Sequence, residues 1–254
     1  MKFSYEDLIS GDSIPVDGIG HFRSPKLREL KPTQGIGTWN YQLYLNILSW
    51  SKEKIVEVHK MSSPKKAAMI AKNKQLSSYD AIILIENSRE LLRKAMAFFM
   101  DENIVWDDKT RSFLCVSKDD EKIIGIINRE NFEEVRDMML QLNYVNVGDK
   151  AKPVKHSSKK SKQLWERCQE YLKQETEKAP VDKNMTLGNI ISKLCISNSG
   201  YNLLNIYDLT VFQLYDQFFQ YGYLRAMKLN DMVFSNHGGK DFDMQAWIKP
   251  ITKF

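Results

Sequence analysis

Apolar residues recur at helical spacing over most of the chain, and the period breaks clearly only once. Tyr41, Leu45 and Leu48 outline a helix that Thr38 caps and that runs to about Leu48. Ile55 and Val58 extend the pattern across 51–59. Ser63-Pro64 then opens a short helix over 65–72, since proline is tolerated in a first helical turn. From Tyr79 the dense run Ile82, Ile83 and Leu84 fits a strand or a buried helix, and the periodicity carried onward by Leu91, Leu92, Ala95 and Phe99 favours helix. The period then changes. Residues 104–106, 112–116 and 122–127 are short β-rich runs parted by the polar turns Asp107-Asp108-Lys109 and Lys118-Asp119-Asp120-Glu121, the pattern of a three-stranded antiparallel meander. Asn128 caps a further helix over 129–142, with Phe132, Val135, Met139 and Leu142 on one face. Helical spacing returns over 162–175, over 186–196 and in a long helix over about 209–234 capped by Asp208. Val211, Leu214, Tyr215, Phe218 and Phe219 give that long helix a wide apolar face that needs a cover. The fold class expected is α+β, predominantly α-helical, with a small antiparallel three-stranded β-meander, an N-terminal β arm and an all-α C-terminal lobe.

Two stretches stand apart from this periodicity. Residues 1–35 read as an arm: Ile14 and Val16 alternate as an edge strand interrupted by Pro15, Asp17-Gly18 turns it, and Ser24-Pro25 opens a short helix over 26–30 that Pro32 stops. Residues 146–162 carry Pro153, serines and lysines with almost no large apolar side chain, the composition of a linker. The expected organisation is an arm (1–35), an α+β domain (36–145), a basic linker (146–162) and a helical C-terminal domain (163–254).

Composition narrows the function classes. At 43 % apolar and 11 % aromatic residues the chain can bury a core. No apolar run approaches the ~20 residues of a membrane span, and Glu6 and Asp7 stand where a signal peptide is apolar. Both point to a protein of the cytoplasm. The three cysteines, Cys115, Cys168 and Cys195, are too far apart for a zinc knuckle and read as free thiols. The net charge is +5, and residues 148–163 hold six lysines and one acid, which matches the whole excess. The basicity therefore looks like the property of one segment.

Candidate chemistry is sparse. Gly18-Ile19-Gly20 is followed by Arg23 where a dinucleotide loop needs a third glycine, Gly35-Ile36-Gly37 lacks one as well, and both read as turn glycines. His237 with Asp241 and Asp243 has the residue types of a metal site, but His and Gly are ordinary at a helix C-terminus. The pairs Asp101/Glu102, Asp107/Asp108 and Asp119/Asp120 sit in polar turns. No catalytic residue, metal ligand or cofactor is assigned.

The lead-in GDSIPVDGIGHFRSPKLRELKP, the stretch IIGIINRENFEEVRDMMLQLN (123–143) and the block LLNIYDLTVFQLYDQFFQ (203–220) resemble tail-morphogenesis proteins of phages infecting Gram-positive bacteria. The closing tryptophan segment resembles them too. The resemblance implies a tail or baseplate component, or an assembly chaperone, that is not an enzyme and acts through other phage structural proteins in a multi-subunit complex. It also implies the host cytoplasm during assembly as its place, and the virion if it stays in the particle. Protein-binding residues are then expected in the arm (Ile14, Val16, Phe22, Leu27, Leu30) and on the long helix (Phe212, Tyr215, Phe219), by strand addition or helix-in-groove docking. In that scheme the arm is removable without unfolding the rest. The alternative is a nucleic-acid-binding accessory protein using Lys150, Lys152, Lys155, Lys159, Lys160 and Lys162. A third reading, a hydrolase, needs a cleft with perturbed carboxylates near Asp107 or Asp241. No membrane partner is expected.

Overall fold

The computed structural model describes residues 2–145, 185–197 and 200–237. Helix α1 (Tyr5–Ser10) is capped by the Ser4 hydroxyl, which accepts the Asp7 N–H at 3.1 Å. The turn at Asp17-Gly18 joins β1 (Ile14–Val16) to β2 (Gly20–Phe22) as a short antiparallel hairpin, with Ile14 opposite Phe22. The short helix expected over 26–30 is a single 3-10 turn, Leu27–Leu30. Too few residues lie between Pro25 and Pro32 to repay helix nucleation.

Three short helices between two longer ones follow: α2 (Gly37–Ser49), α3 (Lys52–His59), α4 (Pro64–Lys72), α5 (Ser78–Ile83) and α6 (Glu86–Phe99). The helix expected to run on from Tyr79 is therefore two. Tyr79, Ala81, Ile82, Ile83 and Ile85 are all buried, whereas α6 buries only one face. A run apolar on every side cannot lie along one stripe of an amphipathic helix. The chain breaks at Ile85, which is extended, and α5 gains its own capping box between Ser77 and Asp80.

The change of period after Phe99 is a sheet, as the alternation predicts. Strands β3 (Asn103–Asp107), β4 (Ser112–Val116) and β5 (Ile123–Ile127) pair antiparallel in that order. Ile104 lies opposite Cys115, and Trp106, Phe113 and Ile127 form a row across the strands. Helix α7 (Phe132–Leu142) starts three residues later than expected, because the Asn128 side chain closes a turn on the N–H of Glu130 at 2.8 Å. Helices α8 (Leu187–Ser197) and α9 (Val211–His237) complete the described residues. The fold class is the one expected: mixed α+β, 57 % helical among the described residues, with a two-stranded and a three-stranded antiparallel sheet and a helical C-terminal region.

The N-terminal segment is no detached arm. Phe3, Leu8, Phe22, Leu27 and Leu30 are buried in the same apolar cluster as Phe99, Phe113, Phe132 and Phe212. The hairpin lies directly on the sheet. A Cβ at Gly125 of β5 would sit 2.4 Å from the Ile19 carbonyl oxygen, and one at Gly20 would sit 2.7 Å from the Glu102 carboxylate. Glycine at 125 lets the two backbones close, and glycine at 20 leaves room for the Glu102 side chain. The Glu102 carboxylate, itself buried, accepts the His21 backbone N–H at 2.9 Å and engages His21 Nδ1 at 2.8 Å. The glycines once open to a phosphate-loop reading thus shape backbone contacts.

Candidate functional site

Helix α9 has 27 residues, about 40 Å at 1.5 Å per residue, and its two halves meet different surroundings. The first turn is closed by a capping box: Thr210 Oγ1 accepts the Gln213 N–H at 3.2 Å and Gln213 Oε1 accepts the Thr210 N–H at 2.9 Å. The expected cap, Asp208, sits instead in the preceding 3-10 turn and pairs with Arg28. Ser24, expected to cap the short helix beside it, accepts the Phe212 N–H at 3.2 Å. Leu27 donates its N–H to the Leu209 carbonyl and Val211 donates to the Pro25 carbonyl, both at 2.9 Å. Gln213 Nε2 donates to the Ile9 carbonyl at 2.9 Å, and the Tyr5 hydroxyl donates to the buried Asp216 carboxylate at 3.1 Å. Burial raises the Asp216 carboxyl above the ordinary range, although the Tyr5 hydrogen bond works the other way.

These contacts decide where the expected protein-binding residues lie. Phe22, Leu27, Leu30 and Phe212 are buried, and Ile14 and Val16 are half-buried against the core. The N-terminal segment and the first half of α9, expected to meet other proteins separately, meet each other. Phe22, Leu27, Leu30 and Phe212 are therefore not docking residues, because their apolar surface is spent inside the chain. Tyr215 is half-buried and Phe219 is 39 % exposed.

Tyr144 closes the C-terminus of α7 in the left-handed region at φ 59°, where its N–H reaches the Gln141 carbonyl and the next N–H, of Val145, reaches that of Leu140. Its ring lies nearly parallel to Phe219 at 5.4 Å and to Tyr215 at 5.9 Å. A left-handed tyrosine costs about 1 kcal/mol against glycine, and the stacked rings hold it there. This stack walls a cavity of about 670 Å³ between α2, the end of α7, α8 and α9, together with Tyr41, Leu45 and Leu187. On the other side of Phe219, a cavity of about 760 Å³ is lined by Lys193, Ile196, Phe218, Tyr221, Gly222 and Arg225. Beyond it the second half of α9 carries exposed Leu224, Leu229 and Met232, and Ile196 of α8 is 80 % exposed. The sequence signal for these lies in the apolar positions that continue past Phe219.

The remaining candidates resolve into structural roles. Asp107 takes the Thr110 N–H and hydroxyl, which hold its carboxyl below the ordinary range. Asp108 accepts the Trp106 Nε1–H at 2.6 Å, and Asp120 pairs with Lys122. Asp101 lies 3.7 Å from Arg23. Burial pushes the Cys115 thiol up to about 12, which removes it as a nucleophile. His59 and Ser88 approach to 2.6 Å but both are buried, and burial lowers the His59 pKa. Among the described residues no three His, Cys, Asp or Glu side chains are grouped to hold a metal, and no helix is long and apolar enough to cross a membrane. Asp241, Asp243, the helix expected over 162–175, the six lysines of 150–162 and the closing tryptophan segment lie outside the described residues.

A family model described as the YomV second domain matches residues 175–252. That domain is phage-derived, from the SPbeta region of a Bacillus phage, and the match is consistent with a phage protein. No curated protein and no solved structure matches the chain. The matched stretch takes in α8 and α9, and so the exposed apolar side chains just described.

Proposed function

We propose that the chain is a phage tail or baseplate structural or assembly protein that works by protein–protein association through α8 and the outer half of α9. The observation that carries this reading is the helix itself. Its inner half is anchored by the N-terminal segment, while Tyr221, Leu224, Leu229 and Met232 stand exposed along the outer half. Apolar side chains grouped in this way favour a protein surface over open water. The match of this stretch to a phage-derived domain supports the same reading.

The test is co-expression with the tail and baseplate proteins of the same phage, followed by size-exclusion chromatography. The wild-type chain is expected to co-elute with at least one of them, and a Tyr221→Glu/Leu224→Glu/Leu229→Glu variant is expected to elute alone while melting normally. Co-elution that survives the triple substitution, or none with the wild type, overturns the proposal.

A further inference from the structure

The six lysines of 150–162, less Asp149, equal the net charge of the chain, but that equality conceals a second concentration. Residues 52–74 contain seven lysines and two glutamates. They fold as the hairpin of α3 and α4, stapled where Lys52 Nζ donates to the Asn73 carbonyl. The rest of the chain is acidic enough to hide this in the sum. Lys54 pairs with Glu57. Lys60, Lys65, Lys66, Lys72 and Lys74 are exposed and have no ion-pair partner among the described residues.

Helix α4 also inverts the usual charge arrangement. Its first turn holds no acid, Ser63 makes no side-chain cap, and Lys65 and Lys66 crowd the positive end of the helix dipole. Local repulsion of this kind is relieved by an anion at that terminus. Ala67 and Ile70 face the core, which turns Lys65, Met69 and Lys72 outward along one ridge. Seven residues of helix separate the two lysines by roughly 10 Å, a length over which a DNA duplex presents about six phosphates.

We propose that the α3–α4 hairpin is a contact surface for the phosphate backbone of duplex DNA, independent of the association surface on α9. A single strand is a poorer fit, because the outward side of α4 offers alanines and Met69 and no ring on which bases stack. A lipid surface is a poorer fit too, since the tryptophan beside these lysines, Trp50, is half-buried with its ring held edge-on against His59 and is not presented to headgroups.

The experiment uses the full chain and a fluorescently labelled DNA duplex of mixed sequence, read by anisotropy between about 50 and 200 mM salt. Binding is expected at the low end, with log affinity falling against log salt at a slope of about four. The Lys65→Gln/Lys66→Gln/Lys72→Gln/Lys74→Gln variant should weaken binding at least tenfold at 50 mM salt and flatten the slope by roughly three. The companion variant with all six lysines of 150–162 changed to Gln should retain that slope component. No binding by wild type overturns the proposal, as does a hairpin variant that binds like wild type. Tighter binding to a single strand, or to phosphatidylserine vesicles, also overturns it. None of these outcomes depends on co-elution with tail proteins.

Discussion

The two halves of α9 form one continuous helix and teach opposite lessons about its apolar residues. In the inner half Val211, Phe212 and Leu214 are fully buried, and even Asp216 is covered. In the outer half Leu224, Leu229 and Met232 stand in solvent. Their sequences are similarly apolar. The difference is the presence of a partner segment: residues 3–30 wrap the first two turns, and no described segment wraps the last ones. An apolar helical face therefore states a need for cover and leaves open whether the cover comes from the same chain.

That contrast can be broken most severely from the N-terminal side. Deleting residues 2–35 removes six buried apolar side chains, on the order of 10 kcal/mol of apolar burial against a total stability of about 5–15 kcal/mol. The truncated chain is expected to lose its cooperative urea transition. Retention of that transition would restore the removable-arm reading. Within the inner half, Phe212→Ala should cost about 3–5 kcal/mol by chemical denaturation, whereas Gly125→Ala, which forces the hairpin off the sheet, should cost about 1–3 kcal/mol. Thr210→Ala, which removes the cap, should cost about 1 kcal/mol.

Smaller still is a pH effect. The folded state holds the Asp216 proton more tightly than the unfolded chain does, so this residue lowers stability at neutral pH, and the loss is recovered as pH falls through its raised pKa. Asp216→Asn is therefore expected to melt higher than wild type at pH 7, with the gap closing towards pH 4. An unchanging gap would remove the assignment. In the outer half, Leu229→Ser should move stability by less than about 0.5 kcal/mol. A larger loss would mean that the outer half is covered within the chain.

Local elements were well announced by the sequence. The three strands were visible because alternation and paired-acid turns are local signals, and the hairpin turn showed in Asp17-Gly18. What stayed hidden was long-range. Nothing near Ser24 indicates that its hydroxyl serves a helix 188 residues away, so it read as a cap for its own neighbours. The isolated look of residues 1–35 came from their polar turns, while Phe22, Leu27 and Leu30 gave no hint of which surface would take them. Charge misled for a different reason: a net sum assigned to one lysine run cannot reveal a second run cancelled by acids elsewhere. The fold class was thus legible, and the apolar face of α9 only as far as Phe219.

The clamp between the N-terminal segment and α9 has a consequence for synthesis. Ser24, Pro25 and Leu27 leave the ribosome early, but their hydrogen-bonding partners Phe212, Val211 and Leu209 are made nearly two hundred residues later. At about 5–20 residues per second, that is a delay of roughly 10–40 s. During this interval the backbone groups of residues 24–27 that α9 will pair with, and the apolar side chains beside them, stay open to water.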